Sequence, residues 1–232
     1  RVALGERAVR DIAGDLEQAV RAEDEVFVQR VIESLGVDTQ PEVWKGTRAG
    51  EALGEVFAGA MVARARKLAE AARIEDIPEW RAALEMAKQL APKKHAELER
   101  VERELLKNLR KKHAIKDLRW AEVLALYPPI QVEDAAEWYA RVDAASRKNK
   151  SGRVVIRIER ERAVGKDILA RVYHPSSGES CYALVSPRSS AIRQRLESGR
   201  PVVALAELDG AISYRRNGKK APIARLDILA IR

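Results

Sequence analysis

The residues best suited to chemistry in this chain are cations and rings gathered in its last third. Tyr214-Arg215-Arg216-Asn217-Gly218-Lys219-Lys220 puts four cations and a phenol around an Asn-Gly turn, a backbone shape that lets the chain approach a ligand closely. Arg157, Arg171, Tyr173, His174 and Tyr182 lie upstream, in segments that alternate polar with apolar residues. Guanidinium and ammonium groups neutralise phosphates, while aromatic and guanidinium planes stack on bases at about 1–3 kcal/mol per base. The chemistry expected is therefore non-covalent capture of a polyanion, with no catalytic residue assigned.

Enzymatic signatures are missing. There is no Walker A sequence, no G-x-G-x-x-G fingerprint and no nucleophile elbow. His95, His113 and His174 stand far apart with no His or Cys at metal-ligand spacing, so neither a metal site nor a cofactor is expected. Glu207 and Asp209 with Lys219 or Lys220 come nearest to a metal-dependent nuclease, but the carboxylates read more simply as a strand end entering a turn. Cys181, the single cysteine, excludes an internal disulfide and reads as a small core residue of a strand. A reducing, cytoplasmic setting follows. No apolar run approaches the ~18 residues that span a bilayer, and no secretory signal is read.

Charge placement agrees with the ring-and-cation cluster. Residues 151–232 hold 16 basic and 8 acidic side chains, which is the whole excess of +8; residues 1–150 hold 27 of each. A second positive zone covers 93–119, with 10 basic and 5 acidic residues. Both zones are what a phosphate-rich partner requires. Within the second, Lys107, Arg110, Lys111 and Lys112 crowd the end of a helix. A solvated end that suits the helix dipole is one reading and phosphate contact the other.

The elements that must position these groups change type along the chain. Residues 1–147 carry apolar residues at helical spacing: 2–35 with Val9, Ile12, Leu16 and Val20, 42–73 with Leu53, Phe57, Met61 and Leu68, then 78–90, 93–113, 117–127 and 131–147. Gly50 and Gly54 permit close helix approach, and Pro78, Pro92 and Pro128-Pro129 punctuate the series. Trp120, Tyr127, Trp138 and Tyr139 are expected to be core residues or to pack between helices. The connector Arg147–Gly152 is polar and charged. Beyond it Val154, Ile156 and Ile158 alternate with polar neighbours, opening strands at 153–161, 168–173 and 180–185. A helix is predicted at 188–198, a hairpin of 202–208 and 211–216 around Asp209-Gly210, and a last strand at 223–231. Two methionines and three asparagines among 34% charged residues resemble a thermophile's economy of labile side chains.

Three strands, a helix, a hairpin and a final strand over 153–231 resemble the OB-fold in order of elements, without a family-specific motif. The fold class expected is α+β: an all-helical region over 1–147 and an OB-like barrel over 151–232. The resemblance implies a ligand face on strands two and three with their flanking loops, and single-stranded nucleic acid or oligosaccharide as ligand. On that reading Arg157, Arg171, Tyr173, Tyr182, Tyr214, Arg215, Arg216, Lys219 and Lys220 contact DNA or RNA with little sequence selectivity. The helical region would dimerise the chain, dock a protein partner, or extend the track through Lys107–Arg119. The rival expectation is a scaffold subunit whose helical region is its main interface.

Overall fold

A computed structural model describes Gln18, Arg30, residues 48–130, 137–138, 140–142, 152–175, 178, 180–216 and 219–232; the expected helix at 2–35 and most of that at 131–147 lie outside these residues. The chain is mixed α+β, helical first and then a closed five-stranded barrel. Two compact units divide it, Arg1–His113 and Ala114–Arg232. The change of composition at 147–151 and the division of packing thus fall at different places. The turn Ile115–Asp117 and the helix Trp120–Leu126 group with the barrel, because their apolar faces pack on its outer wall.

In the first unit α1 (Arg48–Ala71), α2 (Ile77–Leu90) and α3 (His95–Lys112) pack through aliphatic stripes. Leu53, Phe57, Met61, Ala65 and Leu68 recur at three- and four-residue steps on α1 and are buried, as are Ile77, Trp80, Leu84 and Leu90 on α2. Trp80 has no exposure, and its indole Nε1 donates to the Met61 carbonyl at 3.0 Å, so its one polar atom is satisfied inside the core. Gly54 explains how closely the helices meet. A Cβ there would lie 2.7 Å from the Leu90 carbonyl carbon and 2.8 Å from the Ala91 nitrogen.

Helix α1 stops without a glycine. Ala72 takes φ 55°, a left-handed conformation costing a side-chain-bearing residue about 1–2 kcal/mol, while the Arg73 N–H reaches back to the Leu68 carbonyl at 3.2 Å. Lys112 Nζ donates to the Ala69 carbonyl at 2.6 Å, and His113 Nε2 lies 3.1 Å from the Ala72 carbonyl. The end of α3 therefore caps the end of α1. Among the described residues of this unit Lys88 is the buried cation, 2.6 Å from Glu85 and 3.4 Å from Glu102, which also accepts from Arg81 at 2.8 Å. Burial opposes its charge, but the two carboxylates outweigh burial and hold the ammonium above the ordinary lysine range.

In the second unit, besides α4 (Trp120–Leu126), the barrel strands are β1 (Arg153–Val164), β2 (Asp167–Tyr173), β3 (Ser180–Pro187), β4 (Val202–Arg216) and β5 (Lys219–Ile231), with α5 (Ser190–Glu197) between β3 and β4. The strand order β1-β2-β3-β5-β4 closes by pairing β4 with β1, and β3 runs parallel to β5. This arrangement is compatible with an OB-like fold. Period-two alternation sends Val154, Ile156, Ile158, Ile168, Ala170 and Val172 inward, where Leu226, Ile228 and the buried Trp138 join them. Each large aliphatic buried this way contributes about 1.5–3 kcal/mol. Trp138 is thus a core residue, packed inside the barrel. Leu196 of α5 enters the same core, and Ser189 caps that helix by accepting from the Ile192 N–H at 3.2 Å.

Asp209-Gly210 is not a hairpin turn. Strand β4 runs through it: Leu208 pairs with Leu226 and Ala211 with Ala224, three steps on one strand against two on the other. The dipeptide is a bulge, with Gly210 at φ 74°. A left-handed glycine serves turn and bulge equally, and here β5 is long enough to pair with both halves of β4. The reversal comes later, between Arg216 and Lys219, which pair directly. Among the described residues no helix is long and apolar enough to cross a membrane.

Candidate nucleic-acid interface

Alternation and register together build one outward face on β1, β2 and β3. Arg157 stands opposite Tyr173, which stands opposite Ser180; in the next row Glu159 faces Arg171, which faces Tyr182. Four residues from three strands (Arg157, Arg171, Tyr173 and Tyr182) therefore share one patch of barrel surface. Both arginines are exposed and both tyrosines half-buried.

Tyr173 organises the patch. The Arg157 guanidinium lies 5.2 Å from its ring centre and that of Arg171 lies 5.6 Å away, both in cation–π range. The phenol donates to Glu159 Oε2 at 2.6 Å, and Arg171 Nε donates to Ser180 Oγ at 3.2 Å. Glu159, with the phenol as its hydrogen-bond donor, makes no ion pair with either arginine. The two guanidinium planes are held in place and keep most of their donors facing solvent. They, more than the Tyr173 ring they already engage, are the planes offered for stacking and phosphate contact.

The hydrogen bond to Glu159 raises the Tyr173 phenol above its ordinary value of 10.0; partial burial adds to the rise and the two arginines oppose it. A group raised in the folded state contributes fully below its unfolded value and loses that contribution as pH climbs through the folded one. The substitution Glu159→Gln is expected to bring the Tyr173 titration back down toward about 10. Tyrosine ¹³Cζ shifts followed from pH 8 to 12 would show this, and identical curves for both proteins would refute the assigned hydrogen bond.

The other expected contacts are not part of the described patch. His174 follows β2, and its ring sits edge-on to buried Trp138 at 5.6 Å and 78°. Tyr214, Arg215 and Arg216 pair with Ala221, Lys220 and Lys219 through their backbones, so the predicted loop is the ladder-bonded end of a hairpin. Their side chains lie outside the described ones. Lys107, Arg110, Lys111 and Lys112 belong to the first compact unit. Lys107 and Lys111 are exposed there, whereas Lys112 is engaged with the α1 carbonyls.

The carboxylates that could have suggested a nuclease are matched by arginines. Glu207 accepts from Arg153 at 3.2 Å and from Arg188 at 3.0 Å, Arg188 also reaches Asp227 at 3.4 Å, and Arg225 lies 3.8 Å from Asp209. Among the described residues no group of three or more His, Cys, Asp or Glu side chains could hold a metal ion.

No protein-family model matches the chain, and comparison with curated proteins and with solved structures finds no match either.

Sequence reasoning missed Glu159 and Ser180. Alternation alone puts Glu159 on the same face as Arg157, which was a usable signal. Their roles depend on which residues stand opposite, and a single strand does not carry that information.

Proposed function

We propose that the barrel binds single-stranded nucleic acid, DNA or RNA, across the outer face of β1–β3, as an OB-fold domain with little sequence selectivity. The observation that carries this reading is the convergence of Arg157, Arg171, Tyr173 and Tyr182 on one face, with both guanidiniums exposed and clear of carboxylate partners. Support also comes from the strand order, from α5 between β3 and β4, and from the charge excess confined to residues 151–232. Phosphates are neutralised by the arginines and by the cationic hairpin end at 214–220, and bases stack on guanidinium planes and on Tyr182.

The test is fluorescence anisotropy of the full chain with labelled single-stranded DNA, single-stranded RNA and duplex, each titrated at several salt concentrations. Single strands should bind more tightly, with log K falling linearly in log[salt] by about 0.7 per phosphate contact. Absence of binding to all three at low salt would remove the proposal.

A further inference from the structure

A separate cleft opens on the second unit, lined by none of the β1–β3 patch residues. It has a volume of about 470 Å³ and lies between residues 115–118, helix α4, the start of α5 and the last residues of β5. That size falls within the ~300–1,000 Å³ of small-molecule sites. Its walls are apolar and aromatic, with Trp120, Val123, Tyr127, Ile192 and Leu229 prominent.

The polar lining is one-sided. Lys116, Arg188 and Arg195 line the cleft and no acidic residue does. Arg188 is ion-paired to Glu207 and Asp227. Neither Lys116 nor Arg195 has a carboxylate within ion-pair distance among the described residues. Ser189 Oγ already accepts from the Ile192 N–H. What the cleft leaves open to a ligand is an apolar and aromatic wall beside two cations that have no carboxylate partner among the described residues. Close to apolar walls the screening by water is reduced, so an anion placed there interacts more strongly than at an open surface.

We propose that this cleft binds a small anionic aromatic molecule, its ring system against Trp120, Val123 and Leu229 and its acidic group toward Lys116 and Arg195. The site is independent of the nucleic-acid reading, since none of its lining residues belongs to the β1–β3 face. An uncharged ring would gain the apolar contact alone. An aliphatic dianion would gain only the charge contact.

Two probes of nearly equal shape separate these contributions: 8-anilinonaphthalene-1-sulfonate, which carries a sulfonate, and uncharged N-phenyl-1-naphthylamine. With the full chain the sulfonate should bind one-to-one with blue-shifted emission. The pair Lys116→Gln and Arg195→Gln should weaken the sulfonate about tenfold and leave the uncharged probe within about twofold. Ala191→Trp, at an exposed lining position of α5, should fill the cleft and abolish both signals while the far-ultraviolet circular dichroism stays unchanged. Sulfonate binding that ignores the charge pair, or that survives Ala191→Trp, overturns the proposal. So does a stoichiometry well above one.

Discussion

Replacing Arg157 and Arg171 together by glutamine is expected to weaken binding of a labelled single strand roughly 25-fold at 0.1 M monovalent salt, and to flatten the slope of log K against log[salt] by about 1.4. The two numbers have one source. Each phosphate contact on a single strand releases about 0.7 of a condensed counterion, so losing two contacts removes about 1.4 from the slope and as many decades of affinity at that salt. Both side chains are exposed, so the barrel should remain folded, with near-ultraviolet circular dichroism as the check. Arg66→Gln, at an exposed position on α1, removes one charge from the first unit and should leave the slope unchanged. Replacing both arginines by lysine separates charge from shape. Lysine keeps the slope but lacks the planar group, so affinity should fall by about 1–3 kcal/mol for each stacked base. A glutamine pair with an unaltered slope would place the phosphate contacts elsewhere and overturn the assignment of this face.

Gly54→Ala is expected to destabilise the helical unit, whereas Gly59→Ala, five residues along the same helix, should stabilise it. In an exposed helix interior alanine is favoured over glycine by about 1 kcal/mol, and Gly59 is exposed. At Gly54 the added methyl would press to within 2.7–2.9 Å of the Leu90 carbonyl carbon, the Ala91 nitrogen and the Ala91 Cβ. Two of these are backbone atoms that cannot rotate away, so α1 and the end of α2 must separate. Overpacking of this kind costs about 1–3 kcal/mol and exceeds the propensity gain. Urea denaturation followed at 222 nm should move the midpoint down for Gly54→Ala and up for Gly59→Ala. If Gly54→Ala moved the midpoint up as well, the close crossing of these helices would be refuted.

The opposite signs expected for two glycines of one helix mark a boundary between local and tertiary information. Read along the chain, both glycines are weak points in a helical pattern. The sequence does suggest close approach through the spacing of Gly50 and Gly54. Which glycine meets another backbone, and which backbone, is settled by the crossing of α1 over the end of α2. The Asp209-Gly210 dipeptide behaves likewise. Its local preference for a left-handed glycine is satisfied equally by a turn and by a bulge, and the length of β5 chose the bulge. The stop of α1 had no local signal, since Ala72 adopts an unfavourable conformation made tolerable by Lys112 and His113, about 40 residues away.

By itself the sequence determined what short-range physics determines. Hydrophobic period placed the helices of the first unit and the order of strands, helix and strands in the second. Alternation of two decided that Val154, Ile156 and Ile158 face inward and that Arg157 and Glu159 face out. Composition confined the charge excess to residues 151–232. Tertiary structure alone decided the neighbours. A strand does not encode which residue stands opposite, and a slip of one position would turn each side chain to the other face of the sheet. The extra residue of β1 at Glu161, together with the left-handed Gly165 that follows β1, fixes the register that sets Arg157 against Tyr173. The cleft depends on the fold still more fully. Lys116 and Arg195 lie 79 positions apart, and only closure of the barrel, which brings the end of β5 beside α4 and α5, sets them around the same apolar walls.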